Sequence, residues 1–476
     1  MRKLSHKVLF ILAAFFSSSA IGQIYFNKSI PIINNQSALS VQEISTGGYL
    51  IAGQDYKSTM QSLCFMRVDI NGDTLWIKEY GLTSNFYYLS TGSLHPTSDG
   101  NYICAGSVTD TLGNSDALLI KLTVNGDTLW TKRFGGPFYD AGRDCQQTID
   151  GGLILIAEND SLNDGLDDFI LIKMDSSGNQ QWKRRYNAGN YEVPICGFQT
   201  QDKGYIISGG RDLSSTNTSN WIVKTDSLGI MQWNKTYGSG GNDGMCWITQ
   251  LNDGTYITTG AKAIAGLDRQ ACIRKLHSNG TLNWEKLDGG ISYDAFYCHV
   301  VELSNSYVFF GDFYNPSNKS EAGLLKTDTA GNQIWKRTYF FNSAVNNYTF
   351  DMKKTSDNGF IISGQTVDVS GDAWLVKIDS NGCEIVNCNV GINELSVSDF
   401  KLQIYPIPAS SEINILIEGG NLNDYLISII NILGEEQKAE INKSTISISD
   451  LASGVYFISA QSKKGQKNLF QKFIKE

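Results

Sequence analysis

The stretch that decides the fold is Lys173-Met174-Asp175-Ser176-Ser177-Gly178-Asn179-Gln180-Gln181-Trp182, because its pattern Lys-x-Asp-x-x-Gly-x-x-x-Trp recurs, with variation, along the chain. The tryptophans at the end of the pattern are separated by 54, 52, 51, 51 and 51 residues; they are Trp76, Trp130, Trp182, Trp233, Trp284 and Trp335. Each copy also contains a turn and an apolar run, as in Asp150-Gly151-Gly152-Leu153-Ile154, and seven such runs occur. A fixed period of this length indicates repeated copies of one supersecondary unit.

Each copy is predicted to form one four-stranded antiparallel sheet, which gives an all-β, seven-bladed β-propeller over residues 23–388. The six tryptophans are expected to be buried between neighbouring blades, where large flat side chains fill the gap. The seventh copy has Ile385 in place of tryptophan. Ile24-Tyr25-Phe26-Asn27-Lys28 resembles Thr74-Leu75-Trp76-Ile77-Lys78, so the start of the chain is expected to supply an outer strand that closes the ring. The alternative is a loose N-terminal strand.

The repeated motif resembles the blade motif of quinoprotein-like propellers and that of Gly-rich repeat proteins secreted by some Gram-negative bacteria. This resemblance implies the propeller fold. Members of the quinoprotein enzyme group carry a bound quinone beside a pair of adjacent cysteines, whereas no two cysteines are adjacent in this chain. We therefore expect no cofactor.

Composition changes after the repeats: from Val397 to the end there is no Trp and no Cys, and apolar and polar residues alternate. Residues 389–399 are predicted to be a linker, and residues 400–476 a small Ig-like β-sandwich. Four motifs follow in order: Tyr405-Pro406-Ile407-Pro408-Ala409, Asn431-Ile432-Leu433-Gly434, Asp450-Leu451-Ala452-Ser453-Gly454-Val455-Tyr456 and Lys472-Phe473-Ile474-Lys475. Together they resemble the type A C-terminal sorting domain of the type IX secretion system. The resemblance implies recognition by that machinery, and a cargo that is released or attached to the outer membrane surface. An ordinary adhesive sandwich is the alternative.

The first 22 residues read as a secretory signal peptide that is cleaved between Gly22 and Gln23. The apolar run Val8–Phe16 is shorter than the roughly 20 residues that a membrane anchor needs, and no later run is comparable, so we expect no transmembrane span. Export to an oxidising compartment predicts a disulfide between Cys383 and Cys388. The nine cysteines are odd in number, so at least one remains unpaired or bonds outside the chain.

Several classes of function find no support in the sequence. The net charge is 39 − 48 = −9, which argues against a nucleic-acid partner. His-Glu-x-x-His, phosphate-loop and Gly-x-Ser-x-Gly motifs are absent. Asp69-Ile70-Asn71-Gly72-Asp73 resembles half of a calcium loop but is better read as a hairpin turn, so no metal is expected. Cys145, Cys196, Cys246 and Cys298 recur near the innermost strand, where packing is favoured over a ring of thiolates.

The remaining prediction for the propeller is a secreted or cell-surface, noncatalytic binding or adhesion module for an extracellular glycan or protein. The alternative is a carboxylate-dependent hydrolase or lyase acting on an extracellular polymer, although the sequence singles out no catalytic residue. Acidic residues clustered with His95 or His299 at the channel mouth would favour the enzyme. Exposed aromatic side chains there would favour glycan binding.

Overall fold

The computed structural model describes residues 24–384 and 401–476, except 31–34, 58–59, 81–85, 161–165, 215–216, 239, 245, 265–268, 289–295, 316, 368–370, 419–420, 432–435, 438–440, 443 and 463–467. The signal peptide with its Gly22–Gln23 bond, Cys388 and the linker at 389–399 lie outside the described residues. The chain forms two compact units, residues 1–386 and 387–476. Within the described part, no helix is long and apolar enough to cross a membrane.

The first unit contains seven four-stranded antiparallel blades, which confirms the predicted propeller. One parallel bridge, between Gln61 and Tyr88, joins the first two blades into a continuous sheet. Blade 1 consists of β2 (Asn35–Glu43), β3 (Tyr49–Lys57), β4 (Met60–Val68) and β5 (Thr74–Tyr80). Blade 2 consists of β6 (Phe86–Pro96), β7 (Tyr102–Asp110), β8 (Ser115–Leu122) and β9 (Thr128–Phe134). Blade 3 consists of β10 (Asp140–Gln147), β11 (Leu153–Asn159), β12 (Asp168–Met174) and β13 (Gln180–Tyr186). Blade 4 consists of β14 (Glu192–Gln199), β15 (Tyr205–Ser214), β16 (Asn217–Thr225) and β17 (Met231–Tyr237). Blade 5 consists of β18 (Trp247–Gln250), β19 (Tyr256–Lys262), β20 (Gln270–Leu276) and β21 (Leu282–Asp288). Blade 6 consists of β22 (Phe296–Leu303), β23 (Ser306–Tyr314), β24 (Ser320–Asp328) and β25 (Gln333–Tyr339).

Blade 7 joins the two ends of this unit. It contains β26 (Asn346–Lys354), β27 (Phe360–Val367) and β28 (Asp372–Ile378), and its outer strand is β1 (Phe26–Ile30). The pairing of β1 with β28 is antiparallel and runs from Phe26 opposite Lys377 to Ile30 opposite Ala373. The N-terminal strand therefore closes the ring, and it covers the edge that β28 would otherwise expose.

The repeated tryptophans lie on the outer strands, and each packs on a turn glycine of the next blade. A Cβ atom added to Gly178 would lie 2.9 Å from Cη2 of Trp130. The equivalent pairs are Trp76–Gly126, Trp182–Gly229, Trp233–Gly280, Trp284–Gly331 and Trp335–Gly382, and Phe26 packs on Gly72 in the same way. The indoles are half-buried and not, as the sequence predicted, fully buried, because the outer strands lie at the solvent-facing edge of each blade. The fully buried tryptophans are instead Trp221 and Trp374, on the third strands.

The Lys-x-Asp part of the motif fixes two hairpin turns. The buried Lys173 on β12 pairs with Asp150 in the β10–β11 turn, at 3.0 Å between Nζ and Oδ2. Equivalent pairs are Lys121–Asp99, Lys224–Asp202, Lys275–Asp253 and Lys377–Asp357. Asp175 accepts hydrogen bonds from the backbone N–H groups of Asn179 and Ser177, which hold the pKa of its carboxyl below the usual value.

The calcium-like stretch has the same turn structure. Asp69 Oδ1 accepts from the backbone nitrogens of Asn71 and Asp73 at 2.9 and 2.8 Å, so this carboxylate closes the hairpin. Among the described residues, no group of three or more His, Cys, Asp or Glu side chains is placed to hold a metal ion.

The second unit is a β-sandwich of two four-stranded sheets. Its strands are β29 (Lys401–Tyr405), β30 (Glu412–Glu418), β31 (Tyr425–Asn431), β32 (Glu436–Gln437), β33 (Ile441–Asn442), β34 (Thr445–Ser447), β35 (Gly454–Ser462) and β36 (Asn468–Lys475), with a 3-10 turn at Leu422–Asp424. The strand orders of the two sheets are β29-β30-β34-β33 and β32-β31-β35-β36. Tyr456 stacks on Phe473 in the core with ring centroids 5.7 Å apart, and its hydroxyl donates to the carbonyl of Ala452. Gly434 lies outside the described residues.

Candidate functional site

The innermost strands of neighbouring blades contact one another around the central axis. At one equivalent position of these strands, beside a β-bulge, a side chain accepts a hydrogen bond from a backbone nitrogen of the next blade. The bonds run to Ser40 from Leu94 (3.2 Å), to Ser93 from Cys145 (3.1 Å), to Asp144 from Gly197 (3.1 Å), to Cys196 from Ile248 (3.4 Å) and to Asp351 from Val41 (3.1 Å). These polar side chains therefore join the blades.

His95 belongs to this arrangement. Its Nε2 lies 3.1 Å from Oδ1 of Asp144, and the hydroxyl of Ser93 donates to the same oxygen. Burial acts to raise the pKa of Asp144, but the hydrogen bonds from His95 and Ser93 hold it below its usual value. In a nucleophilic triad the histidine stands between the serine and the acid, whereas here serine and histidine both contact the acid. The cluster is therefore built to position Asp144 between blades. The side chain of His299 lies outside the described residues.

The recurring cysteines are packed as neutral thiols. Cys145 and Cys246 are buried and Cys196 is half-buried, and all three are free. Burial raises the pKa of Cys196 and of Cys246 to about 12, and it raises that of Cys145 well above its usual value. A ring of thiolates is therefore disfavoured at physiological pH. The side chain of Cys298 lies outside the described residues.

A second polar cluster lies where the innermost strands of blades 3 and 4 begin. Tyr139 and Tyr191 directly precede β10 and β14, Arg143 lies on β10, Glu158 lies on β11, and Asp167 directly precedes β12. Neighbouring strands of a blade are antiparallel, so the start of β10, the end of β11 and the start of β12 share one end of the sheet. We call these five residues, with Asp160, the tyrosine–carboxylate site.

Backbone hydrogen bonds hold the loops of the site together. The amide of Asp160 donates to the carbonyl of Tyr139 at 2.9 Å, and the amide of Glu192 donates to the carbonyl of Asp167 at 2.8 Å. Each tyrosine also precedes a buried acid that accepts from its own loop. Asp140 accepts from the amide of Gly136 at 3.0 Å, and Glu192 accepts from the amide of Asn190 at 3.1 Å. The tyrosines are therefore presented by fixed loops.

The floor of the site is an ion pair between a buried carboxylate and a partly exposed guanidinium, and its hydrogen bonding is incomplete. A guanidinium nitrogen of Arg143 lies 2.5 Å from Oε1 of Glu158, and only 1% of the Glu158 side chain is exposed. Glu158 Oε2 and Arg143 Nε are buried and have no close hydrogen-bond partner among the described residues, although the Tyr139 hydroxyl lies near enough to the Glu158 carboxylate to interact with it as a hydrogen-bond donor. A buried polar atom without a partner costs about 1–3 kcal/mol. Such atoms in a native structure therefore point to a missing partner such as a ligand or water.

The carboxylate of Asp167 and the phenols of Tyr139 and Tyr191 interact electrostatically with this ion pair. Burial, reinforced by the charge of Glu158, raises the pKa of Asp167 to about 6. Tyr139 and Tyr191 are 44% and 37% exposed. Partial burial first, and then the charges of Glu158 and Asp167, raise the pKa values of the two phenols. Both tyrosines therefore remain neutral, and their rings are accessible beside acidic groups.

The sequence contained two signals for this site that pattern analysis did not use. A tyrosine followed by an acid occurs at or just before the start of the innermost strand three times, as Tyr139-Asp140, Tyr191-Glu192 and Tyr293-Asp294, and the first two tyrosines are 191 − 139 = 52 positions apart. The segment from Glu158 to Asp168 also contains five acids, at 158, 160, 164, 167 and 168. Neither signal shows that the tyrosines and the acids lie close together, because their proximity depends on how neighbouring blades pack.

Comparisons with known proteins identify the second unit. Residues 403–476 match the family described as the secretion system C-terminal sorting domain, which confirms the sorting domain predicted from the motifs. No curated protein sequence matches the chain.

Solved structures resemble the fold of the chain. Drosophila Semaphorin 2a is 8% identical with a TM-score of 0.47, and the match covers 94% of this chain and 97% of that one. An ulvan lyase bound to its oligosaccharide is 10% identical with a TM-score of 0.48, covering 74% and 96%. A protein of unknown function from Dyadobacter fermentans is 13% identical with a TM-score of 0.44, covering 63% and 98%. Identities this low concern the fold alone.

Proposed function

We propose that the chain is an exported, noncatalytic binding protein whose propeller recognises an extracellular glycan at the tyrosine–carboxylate site. The sorting domain implies export by the type IX secretion system to the cell surface or the medium. The propeller is then the cargo. Export also depends, in this proposal, on the signal peptide of residues 1–22.

The observation that supports glycan binding is the placement of two exposed tyrosine rings beside buried carboxylates. A sugar ring has an apolar face that packs on an aromatic ring, and it has hydroxyl groups that donate hydrogen bonds. Carboxylates accept several such bonds, and aromatic side chains contribute a large contact area. Glu158 Oε2, which has no close hydrogen-bond partner among the described residues, supplies an acceptor for a hydroxyl of this kind.

The raised pKa of Asp167 also favours a second candidate function, a hydrolase or lyase. A carboxyl group with a pKa of about 6 holds a proton over part of the working range and can act as a general acid beside an ionised partner. Glu158 would be that partner. Its pairing with Arg143 leaves only one of its oxygens available for a second role.

A glycan array probed with the mature chain, followed by incubation with each bound glycan, separates these functions. A binding protein retains its ligand and returns it unchanged. Release of new reducing ends would identify a hydrolase, and unsaturated products absorbing near 235 nm would identify a lyase. Absence of binding to every glycan class, together with binding on a peptide array, would contradict the proposal in favour of a protein ligand.

The sorting domain supports a separate export role for the second unit. Tyr405 is 53% exposed, and Pro406, Ile407 and Pro408 are exposed beside it, whereas Phe473 is buried in the core. We propose that the Tyr405–Pro408 segment faces the secretion machinery while the buried aromatic residues maintain the sandwich. Lys472 is exposed on the edge strand β36 and is available for the same contact.

A further inference from the structure

We propose that Asp312 is held as a neutral acid that joins blades 6 and 7, and that this joint loosens when the acid ionises. Asp312 lies on β23 of blade 6, and its partner strand is β26, the innermost strand of blade 7. Blade 7 is also the blade that the N-terminal strand β1 completes. The ring would therefore respond to pH beside the blade that closes it, independently of the glycan site in blades 3 and 4.

Hydrogen bonds from two strands of blade 6 form the joint. Asp312 Oδ1 accepts from the backbone nitrogen of Thr349 at 3.0 Å and from the hydroxyl of the same residue. On β24, the amide of Ser320 donates to Oδ1 of Asn346 at 3.1 Å, and its hydroxyl donates to the carbonyl of Asn347 at 3.4 Å. The Ser320 hydroxyl also lies within hydrogen-bonding range of the Asp312 carboxyl. Asp312 and Ser320 therefore hold one short segment of β26.

No cation compensates an ionised Asp312 among the described residues. The charged or titratable residues beside the joint are His299 on β22, Glu321 on β24, and Tyr348, Asp351 and Lys353 on β26. Glu321 accepts a hydrogen bond from an asparagine side chain at 2.8 Å, and Lys353 is paired with Asp351 at 2.7 Å. The pKa of Asp312 is set by burial and by hydrogen bonds, without a contribution from a described charged group. The side chain of His299 is outside the described residues.

The equivalent acid of blade 3 is held in a different way. Strand register places Glu158 at the position that Asp312 occupies in blade 6. Glu158 has a cation, since it is paired with Arg143. The residue of blade 4 that is equivalent to Thr349 is Pro194, which has no N–H group to donate. The acid of blade 3 is therefore held by an ion pair within its own blade, whereas the acid of blade 6 is held by hydrogen bonds from the next blade.

The hydroxyl of Ser320 connects the protonation of Asp312 to the joint. Burial raises the pKa of Asp312 to about 7, although the hydrogen bonds from Thr349 and Ser320 act to lower it. A hydroxyl group has only one proton to donate. A neutral Asp312 donates its proton to the Ser320 oxygen, and Ser320 then donates to Asn347. An ionised Asp312 draws the Ser320 proton to itself, so the bond to Asn347 in the next blade is lost.

The pH dependence of the joint has a defined sign. A carboxyl group whose pKa is raised in the folded state stabilises the fold at low pH, and this stabilisation is lost as pH rises through the folded pKa. Asp312 is about one tenth ionised at pH 6 and about nine tenths ionised at pH 8, whereas an unfolded aspartate is ionised at both. The unfolding equilibrium constant should therefore rise about tenfold between pH 6 and 8 through Asp312, which corresponds to about 1.4 kcal/mol.

Urea unfolding of the mature chain at pH 6 and 8, followed by tryptophan fluorescence, tests the inference with Asp312→Asn. The asparagine amide keeps an acceptor for Thr349 and a donor for Ser320, but it cannot ionise. We expect the variant to match the unsubstituted chain at pH 6 and to have an unfolding constant about tenfold lower at pH 8. All other titrating groups, including His299, are present in both proteins and cancel in this comparison. Asp328→Asn is a control in the same blade: hydrogen bonds in its turn hold the pKa of Asp328 below the usual value, so its removal should not change the dependence on pH between 6 and 8.

Hydrogen exchange of the peptide Asn346–Lys354 localises the effect to β26. After correction for the pH dependence of the chemical exchange rate, the unsubstituted chain should lose about tenfold in protection there between pH 6 and 8, and Asp312→Asn should lose none. Ser320→Ala removes the hydroxyl, so β26 should be less protected already at pH 6.

Three results would overturn the inference. One is the same pH dependence of unfolding in Asp312→Asn as in the unsubstituted chain, or a lower stability of the variant at pH 8. Another is a loss of protection spread evenly over all blades, which would contradict a joint between blades 6 and 7. The third is unchanged protection of β26 in the unsubstituted chain between pH 6 and 8, a measurement that does not depend on the folding of any variant.

Discussion

The contact between each tryptophan and the next blade's turn glycine predicts a specific cost for one added methyl group, at Gly178. This residue has φ = +78°, and a Cβ atom there would lie 2.9 Å from Cη2 of Trp130. Gly151 in the same blade is a matched control, because its φ is +79° and an added Cβ atom would have no neighbour within 4 Å. The two positions therefore differ in the contacts with the Trp130 indole and with Lys132 Cγ, which would lie 3.2 Å away, and not in backbone conformation.

The expected losses in the free energy of unfolding follow from the left-handed backbone conformation and from the contact with the indole. A left-handed conformation costs an L-residue about 1–2 kcal/mol, so Gly151→Ala should lower the free energy of unfolding by about that amount. Gly178→Ala adds overpacking against Trp130, which costs about 1–3 kcal/mol, for a total of about 2–5 kcal/mol. In a Trp130→Ala background the clash with the indole is absent and only the approach to the flexible Lys132 side chain remains, so the cost of Gly178→Ala should fall towards that of the control.

Urea unfolding followed by tryptophan fluorescence measures these differences. All nine tryptophans lie between Trp76 and Trp374, so the signal reports on the propeller and not on the sorting domain. Equal costs for Gly178→Ala and Gly151→Ala would refute the proposed packing. An unchanged cost of Gly178→Ala after removal of the indole would refute it as well.

Three further predictions concern acid stability, export and the disulfide. Burial acts to raise the pKa of Asp150, but hydrogen bonds from Thr148 and then from Lys173 hold it below its unfolded value, so this stabilisation is present above about pH 4 and is lost as pH falls further. Lys173→Met removes the Lys173 part and should reduce the loss of stability between about pH 4.5 and 2.5, measured by urea midpoints. Deletion of 405–476 should leave folded propeller in the periplasm of a host with the type IX system, and normal levels in the medium or at the surface would contradict the export role. Cys383 is disulfide-bonded, and we predict that Cys388 is its partner; nonreduced peptide mapping should find the two joined, and alkylation of Cys388 without reduction would exclude the pairing.

The sequence was sufficient to predict the propeller because one unit repeats with a tryptophan at a fixed register. It also predicted the closing strand, since Ile24–Lys28 resembles an outer strand of the repeat. The partner of each indole was not predictable in the same way. Gly178 lies 178 − 130 = 48 residues after Trp130 and belongs to a different blade, so only the stacking of blades reveals the contact.

The candidate site was less accessible to sequence analysis because its residues come from loops of two blades, and the repeat period does not show which of these loops meet. Tyr139, Glu158, Asp167 and Tyr191 lie in or beside loops of two blades, and their roles depend on burial and on mutual distance. The raised pKa of Asp167 arises from desolvation, which a pattern of residue types does not show. The position of His95 in the sequence did not identify the candidate site either, because its side chain holds Asp144 between blades.

Glycan binding by the tyrosine–carboxylate site is tested most directly by measuring the affinity of the mature chain for its best array ligand in two paired variants. Tyr139→Ala/Tyr191→Ala removes the exposed rings of the site. Phe340→Ala/Phe341→Ala removes two exposed rings from the equivalent loop between β25 and β26, and it leaves the site unchanged. We predict a loss of at least about tenfold in the tyrosine variant and no change in the phenylalanine variant. Undiminished binding by the tyrosine variant, or a loss confined to the phenylalanine variant, would contradict the assignment of the binding site.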